Sequence, residues 1–427
     1  MKSMLTAIVG INWGDEGKGR MVDLLSSDYD IICRYQGGNN AGHTVINERG
    51  RFILNLLPSG ILRETTVNIM GNGMVIDLEH LVGEINTLRE KGIVITPDNL
   101  KISDKAIICL PYHKAQDIME EERLKDKKFG STRRGIAPVY ADKYMKKGIR
   151  MGDLALLGSE ILKQKLADII EWKNLTYKGY GSELVNPEEI MDWLTRYGTI
   201  LLPFVTDVSK YLNDAIAMGK SIMFEAQLGA LRDIDFGIYP YTSSSSTLAM
   251  YAPIGAGIPG SKVDESIGIM KAYSTCVGEG PFTAEMFGEE AEALRAAGGE
   301  YGAATGRPRR VGPFDVPASR YGVTVQGADY LALTKLDVLS YMDKIPVCVA
   351  YDIDGEITKD FPTGTRLDIA KPVVEYLPGF GDISWCRTPE ELPQAAKDYI
   401  KYIEEAVGCP VKYASVGAER DQYIKMF

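Results

Sequence analysis

The first 25 residues combine an apolar segment, a glycine-rich turn and a helical repeat, and this combination restricts the possible folds. Residues 4–10 are predicted as a buried strand, and after Gly17 the apolar residues Met21, Leu24 and Leu25 recur at helical spacing. Further buried strands are predicted along the rest of the chain, at 30–35, 221–224, 330–334, 346–351 and 411–415. We therefore expect an α/β fold, with a mainly parallel central sheet covered by helices on both faces.

No internal repeat, low-complexity segment or flexible linker divides the 427 residues. We therefore expect a single elaborated α/β domain over 1–427, with polar insertions around 112–150 and 280–315. A helix is predicted over 78–88 and is closed by Gly92. Another is predicted to begin at the capping box 388–391 and to run to Gly408.

Composition indicates which classes of partner are not expected and in which cell compartment the protein is expected. The net charge of −10 gives no general attraction to nucleic acid or to anionic lipid, so neither is expected as a partner. No apolar stretch is long enough for a membrane span. The six cysteines are scattered without metal-binding spacing, which predicts buried thiols in a reducing cytoplasm.

The turn at 14–19, with the sequence GDEGKG, is a candidate phosphate site. Backbone N–H groups at the helix N-terminus and the Lys18 ammonium would face a phosphate, as in P-loop NTPases. The match is loose, because Asn12 and Gly19 stand where a P-loop has glycine and Ser or Thr. Without that hydroxyl, Mg²⁺ would need other ligands, such as Asp15 and the carbonyl of Gly42. An ordinary glycine-rich turn remains the alternative.

The segment Thr334-Lys335-Leu336-Asp337 follows a predicted buried strand and is a candidate guanine site. One carboxylate can accept hydrogen bonds from both N1–H and N2–H of guanine, a pair that adenine does not offer. ATP would leave Asp337 unpaired, so the pattern favours GTP. The stem of Lys335 can lie along the base plane. The alternative is a solvated strand end.

Two further segments carry chemistry. Residues 303–310 contain three arginines within a loop-forming sequence, and arginine forks bind carboxylates and phosphates. A solubilising charge run is the alternative for this segment. Of the three histidines, only His43 lies among glycines, in the segment 36–44, where it is placed for chemistry.

Four motifs together carry a family resemblance: WGDEGKG at 13–19, QGGNNAGHT at 36–44, TGRPRR at 305–310 and TKLDVL at 334–339. They resemble the adenylosuccinate synthetase family, in order and over nearly the whole chain. The resemblance implies a GTP-dependent, Mg²⁺-dependent ligase of AMP biosynthesis. Such an enzyme joins L-aspartate to IMP through a 6-phosphoryl-IMP intermediate, giving adenylosuccinate, GDP and phosphate, and works as a homodimer.

The resemblance also implies the roles of individual residues. Asp15 would take the N1 proton of the purine and contact Mg²⁺ with Gly42, His43 would stabilise the transferring phosphoryl group and act as an acid, and Lys18 would offset phosphate charge. The implied GTP-binding residues are Gly14, Glu16, Gly17, Lys18, Gly19, Gly42, Thr44, Lys335, Asp337, Ser415 and Gly417. The implied IMP-binding residues are Asn40, Thr132, Lys146, Gln227, Ser243 and Arg307. The implied aspartate-binding residues are Val277, Thr305, Arg307 and Arg309.

Departures from the family pattern concentrate on the acceptor side. Arg133 replaces a glycine, Lys146 replaces an arginine that crosses from the partner subunit, and the Gln227 amide is displaced by one position. Ser243 lies in an altered serine run, and Cys276 stands where arginine is common. Two alternatives therefore stay open: the same ligase chemistry on another purine nucleotide such as dGMP, or a GTP-binding paralogue without ligase activity.

Overall fold

A computed structural model describes residues 3–47, 50–301, 306, 308–362, 364–419 and 421–427. Two predicted site residues, Thr305 and Arg307, lie outside these described residues. Within the described ranges, no helix is both long and apolar enough to cross a membrane.

The helices and strands alternate over most of the chain. The strands are β1 Leu5–Gly10, β2 Ile31–Arg34, β3 His43–Asn47, β4 Gly50–Leu54, β5 Val67–Met70, β6 Val75–Ile76, β7 Leu100–Ser103, β8 Ile107–Ile108, β9 Val205–Thr206, β10 Ile222–Gly229, β11 Glu265–Lys271, β12 Ser274–Cys276, β13 Arg310–Gly312, β14 Phe314–Asp315, β15 Tyr330–Thr334, β16 Lys344–Ile353, β17 Glu356–Thr358, β18 Lys371–Pro378, β19 Val411–Ser415 and β20 Tyr423–Lys425. The α-helices are α1 Lys18–Leu25, α2 Leu78–Glu90, α3 Pro111–Leu124, α4 Ile136–Tyr144, α5 Glu160–Tyr180, α6 Pro187–Leu201, α7 Val208–Ala217, α8 Ala252–Ala256, α9 Gly288–Gly298, α10 Val316–Gln326, α11 Arg366–Ile369 and α12 Gln394–Val407.

Ten strands form one sheet in the order β20-β19-β15-β11-β1-β10-β2-β5-β7-β9. Every neighbouring pair is parallel except β19 and β20, so the predicted mainly parallel α/β sheet is confirmed. All residues of β1 and β11 are buried, as expected for strands covered on both faces. Because the carboxyl ends of parallel strands meet at one edge, the loops after β1, β11 and β15 lie close together.

Helices cover both faces of the central strands. On one face Ile8 of β1 packs with Met21 and Val22 of α1, and on the other Val9 packs in a cluster with Leu212 of α7. Helices α2, α3, α5 and α6 pack in one cluster with Met70 of β5 and with Leu100 and Ile102 of β7, at that end of the sheet. The single-domain organisation over 1–427 stays a prediction.

The predicted start of the last helix is wrong. Helix α12 begins at Gln394, with Pro393 as its N-cap, rather than at the capping box 388–391. The Glu391 carboxylate does accept backbone N–H groups, at 2.6 Å from Arg387 and 3.1 Å from Thr388, but these close an isolated turn. Pro393 lacks the N–H that a continuous helix would need, so the helix starts after it.

Candidate active site

The turn between β1 and α1 is held in shape by the side chain of Glu16. Its Oε1 accepts the backbone N–H groups of Asn12 at 3.1 Å and Gly14 at 2.7 Å, and its Oε2 lies 3.1 Å from Lys18 Nζ. Lys18 also donates to the carbonyl of Gly14 at 3.1 Å. Gly17, at φ 93°, is the N-cap of α1, a left-handed conformation that favours glycine. The predicted glycine turn therefore leads into a helix N-terminus with a buried lysine beside it.

His43 packs directly against the start of this helix. A Cβ placed on Gly19 would lie 2.9 Å from the Cβ of His43, so the glycine permits the close approach. His43 Nδ1 lies 2.5 Å from Glu225 Oε1, and Glu225 also accepts the N–H and the hydroxyl of Ser59, each at 2.7 Å. Burial lowers the pKa of His43, although the Glu225 carboxylate acts in the opposite direction.

This arrangement orients the imidazole. A neutral His43 donates from Nδ1 to Glu225, which leaves Nε2 as the nitrogen that can exchange a proton. Burial raises the pKa of Glu225, but the hydrogen bond from His43, the charge of Arg34 and the hydrogen bond from the Ser59 N–H outweigh that effect, and the net pKa is lowered. An ionised Glu225 would stabilise a positive charge on the ring if an anion drew a proton to it.

Asp15 faces the edge where β1 and β11 end. Its Oδ2 accepts the hydroxyl of Thr275 at 2.6 Å and lies 3.4 Å from Lys271 Nζ and 3.6 Å from the Arg309 guanidinium. Burial raises the pKa of this carboxyl, but the charges of Lys271 and Arg309 lower it by a larger amount, so the net pKa is below its usual value. The carboxylate is therefore ionised and able to accept a proton.

A second carboxylate, Glu300, joins the cations around Asp15. It is fully buried and contacts Lys271 at 3.0 Å, Tyr273 at 2.5 Å, Arg309 at 2.7 Å and Lys335 at 2.9 Å. Burial alone would raise the pKa of Glu300, but the three cations hold it well below its usual range. Three positive and two negative side chains thus meet at this point, counting Asp15.

The candidate guanine site lies next to the phosphate turn. The Thr334 hydroxyl donates to the carbonyl of Glu16 at 2.8 Å and so fastens β15 to the turn. Burial raises the pKa of Asp337, against smaller opposite effects from Arg20 and Lys335. Lys335, at φ 58°, directs its ammonium to Glu300.

Arg20 of α1 brings the last predicted GTP segment into place. Its guanidinium donates to the hydroxyl of Ser415 at 3.2 Å and to the carbonyl of Gly417 at 2.7 Å, and it lies over the ring of Tyr423. The loop after β19 is therefore attached to the phosphate helix. The sequence did not predict this contact, because residues 20 and 417 lie almost at opposite ends of the chain.

On the acceptor side, the displaced amide of Gln227 still faces the loop at 36–44. It accepts the N–H of Gly38 and donates to the carbonyl of Gly38 and to Asn40 Oδ1, each at 3.1 Å. The backbone makes this possible. The register between β1 and β10 shifts after Glu225, and Leu228 adopts φ 63°. The bulge lets Gln227 turn inward although the surrounding sequence is offset.

The other predicted acceptor residues are dispersed. Thr132, Arg133 and Lys146 are exposed at the two ends of α4, and Ser243 is buried and bonded through its N–H to the carbonyl of Arg232 at 2.8 Å. Val277, predicted for aspartate, is exposed. The structure thus brings together the phosphate turn, the proposed general base Asp15 and the candidate guanine segment. The predicted acceptor residues at the ends of α4 lie at the surface.

Three residues that the sequence analysis did not single out belong to the site: Glu225, Lys271 and Glu300. Glu225 is two residues before Gln227, and Glu300 is three residues before the arginine loop at 303–310. Their positions close to these segments were the available signal. Cys276, in place of an arginine, lies 3.3 Å from Arg232 and 3.9 Å from Arg310, so two guanidinium groups already occupy its surroundings.

The donor set fits Mg²⁺ bound jointly with a nucleotide. Among the described residues there is no group of three or more His, Cys, Asp or Glu side chains that could hold a metal. Mg²⁺ commonly binds through one or two carboxylates together with substrate phosphates, and it prefers oxygen. Asp15, within the phosphate turn, and the carbonyl of Gly42, the residue before His43, are donors of that kind.

The chain is similar to known proteins over nearly its whole length. The model of the adenylosuccinate synthetase family matches residues 7–424. A curated adenylosuccinate synthetase from Carboxydothermus hydrogenoformans is 45% identical over 420 residues, covering 98% of this chain and 97% of the relative. One from Caldanaerobacter subterraneus subsp. tengcongensis is 44% identical over 423 residues, covering 98% of each.

Two solved structures are also similar. A fully ligated adenylosuccinate synthetase from Plasmodium falciparum superposes with a TM-score of 0.91 at 36% identity, over 99% of both chains. A cyanophage S-2L succinoaminodeoxyadenylate synthetase, bound to dGMP and to dATP as an energy donor, has a TM-score of 0.61 at 17% identity, over 100% of this chain and 96% of that one. The second likeness concerns the fold alone. From the family match and the identities over nearly the full length, this chain belongs to the adenylosuccinate synthetase family.

Proposed function

We propose that this protein joins L-aspartate to IMP at the expense of GTP, giving adenylosuccinate, GDP and phosphate, as a step of AMP biosynthesis. Family membership supports the reaction. The observation that carries it is that Asp15 and His43 lie beside one phosphate turn, each held by a separate buried network. A GTP-binding paralogue without ligase activity would not need both.

In the first step, Asp15 removes the proton from N1 of IMP. The electron pair left on the ring makes the 6-oxygen nucleophilic, and that oxygen attacks the γ-phosphorus of GTP. The bond from phosphorus to the β,γ-bridging oxygen breaks, and GDP leaves with its electron pair. Thr275 and Lys271 orient Asp15 for this task.

His43 stabilises the transferring phosphoryl group. Its Nε2 faces away from Glu225, and a proton on that nitrogen would be shared with a phosphoryl oxygen, while Glu225 balances the charge on the ring. Lys18 adds positive charge at the phosphates after leaving its resting partner Glu16.

In the second step, the amine of L-aspartate attacks C6. The new C–N bond forms as the C6–O bond breaks, phosphate departs with the electron pair, and the proton lost from the amine passes to that phosphate. A carbonyl oxygen is a poor leaving group, and its phosphorylation removes that barrier. Arg309, together with Thr305, Arg307 and Val277, is assigned to the aspartate.

Asp15 and the Gly42 carbonyl would hold Mg²⁺ with the GTP phosphates. When bound, the ion supplies positive charge that offsets the phosphoryl oxygens. The remaining GTP contacts are assigned to the turn at 14–19, Thr44, Lys335, Asp337 and the loop that carries Ser415 and Gly417. Asn40, Thr132, Gln227 and Ser243 are assigned to IMP.

A second copy of the chain would complete the acceptor site. Lys146 follows α4 on a surface that also exposes Tyr144 at 74% and Met145 at 54%. Met250 and Ile254, on either side of Tyr251, expose further apolar area. Apolar area of this kind around a cation suits a homodimer in which Lys146 reaches the partner's nucleotide. The enzyme would act in the cytoplasm.

The proposal is tested with the purified protein, GTP, Mg²⁺ and L-aspartate, adding IMP, dIMP, GMP or dGMP in turn. Phosphate release and the succinyl-nucleotide product are measured together. Product with IMP supports the proposal. Product only with a guanine nucleotide would move the activity to another acceptor, and phosphate release without a joined product would contradict ligation.

A further inference from the structure

Helix α3 carries three buried polar side chains at intervals of four residues: His113, Asp117 and Glu121. Side chains spaced in this way lie on one face of a helix. The row lies outside the substrate contacts assigned above. Each of the three side chains forms hydrogen bonds with the segment from Phe129 to Asp142. This segment contains the loop of Thr132 and Arg133 and most of α4.

Glu121 and Asp117 fix the loop through its backbone. Glu121 accepts the N–H groups of Phe129 and Gly130, each at 3.2 Å. Asp117 accepts the Ser131 hydroxyl at 2.7 Å and the N–H of Gly135 at 2.8 Å. Four donors from one short loop thus end on two carboxylates of a single helix.

The contact continues to Arg133, which replaces a glycine of the family pattern. Ser131, held by Asp117, accepts the N–H of Arg133 through its hydroxyl oxygen at 3.1 Å. Arg133 adopts φ 58°, a conformation that glycine takes freely and arginine does not. The relay from Asp117 through Ser131 therefore stabilises the backbone at Arg133 and leaves its side chain exposed.

His113 fixes the helix that follows. Its Nδ1 accepts the N–H of Leu110 at 2.9 Å, so the hydrogen is on Nε2, which lies 2.9 Å from Asp142 Oδ2. Lys173 of α5 approaches the same carboxylate at 2.7 Å. Asp142 lies on the last turn of α4, so this contact sets the position from which Lys146 extends.

If this helix face had only a structural role, apolar side chains would be buried there at a lower cost in free energy. Two carboxylates four residues apart repel each other, and burial raises the pKa of Asp117. The loop donors offset that cost, so the arrangement serves to hold the loop. Thr132, Arg133 and Arg134 stay exposed on the loop and carry a hydroxyl and two guanidinium groups, which suit a phosphate.

We propose that Asp117 and Glu121 are positioning residues that hold the 129–135 loop ready for the 5′-phosphate of the acceptor nucleotide. This inference rests on the proposed function, since it assigns the loop to the acceptor. It predicts that loosening the loop weakens acceptor binding and leaves the GTP site unaffected.

The test compares Asp117→Asn and Ser131→Ala with Glu120→Gln. Glu120 is the next carboxylate on α3 but pairs with Arg123 and Tyr180 away from the loop, so it is the matched control. Ser131→Ala removes one hydroxyl from a surface loop. If Asp117→Asn fails to fold, this variant still tests the loop. Backbone amide hydrogen exchange at 129–135, KM for IMP and KM for GTP are measured for each variant.

Asp117→Asn should speed exchange at the loop amides and raise KM for IMP by about 10–100-fold, the size expected for losing a charge-assisted hydrogen bond. Ser131→Ala should act in the same direction by about 3–10-fold. The values of kcat and KM for GTP should stay within about twofold of wild type for both, as should every value for the control. Equal rises in both KM values, or unchanged exchange at the loop, would overturn the inference.

If the wild-type enzyme makes no product with IMP, the proposed function fails by itself. Loop exchange and the equilibrium binding of IMP and dGMP, measured by calorimetry, then decide the positioning role. Weaker binding of either nucleotide in Asp117→Asn but not in Glu120→Gln would support it, and equal binding in all variants would refute it.

Discussion

The two halves of the candidate site are built differently. On the GTP side, Lys18, Lys271 and Glu300 are buried and Asp15 is half-buried at the carboxyl edge of the parallel sheet, where the charged groups compensate one another. On the acceptor side, Thr132, Arg133 and Lys146 lie at the surface around α4. The first half depends on contacts between strands, and the second on one helix that supports a loop.

The difference indicates where sequence change is tolerated. A buried charge that loses its partner costs several kcal/mol, so the GTP half resists substitution. An exposed phosphate contact can change from arginine to lysine without disturbing the fold. The departures from the family pattern at Arg133 and Lys146 are both at exposed positions of this kind. Substitutions in the two halves should therefore differ in the size of their effects.

The largest effect is expected for Asp15→Asn. An amide cannot take the N1 proton, so turnover with IMP should fall by about 10³-fold or more. GDP binding, measured by calorimetry, should remain within about tenfold of wild type, because Lys18 and the turn are retained. A near-normal rate would refute the base assignment.

Glu225→Gln should act through His43 and is expected to lower kcat by about 10²-fold, since the ring loses the carboxylate that stabilises its positive charge. KM for IMP should change little. Ser59→Ala removes a different hydrogen bond to the same carboxylate and is the control, with an expected loss below about tenfold. Equal losses in the two variants would contradict the role of Glu225.

Asp337→Asn should reduce kcat/KM for GTP by about 30–100-fold, because two hydrogen bonds from guanine to a carboxylate are replaced by at most one. Xanthosine triphosphate, which has a carbonyl oxygen in place of the 2-amino group, should become the better substrate. Competition between the two triphosphates measures the change, and an unaltered preference for GTP would remove the guanine assignment.

Lys146→Met should have the smallest effect, a rise of about tenfold in KM for IMP with kcat and KM for GTP retained. Lys146→Arg should lower KM for IMP, since a guanidinium binds phosphate in a bidentate manner. Lys147→Met is the neighbouring control and should leave KM unchanged. If Lys147→Met matches Lys146→Met, the contact is general surface charge rather than a defined one.

Much of the fold was predictable from local pattern. Strands β15 and β19 have the predicted limits, and the ends of β1 and β2 lie within one residue of the prediction. These strands could be located because continuous apolar runs identify buried parallel strands. The start of α12 was not predictable from the capping box alone. A second proline at Pro393 competed with that signal, and the glutamate closed a turn instead of a helix.

The spacing of neighbouring residues was enough to predict the phosphate turn and the guanine segment, and the family resemblance added the acid–base candidates Asp15 and His43. Which carboxylates support these groups depends on contacts between distant parts of the chain. His43 and Glu225 are 182 positions apart, and Lys271 and Glu300 are 29 apart. Such partners meet because parallel strands bring their carboxyl ends to one edge of a sheet, and no local pattern encodes which distant loops share that edge.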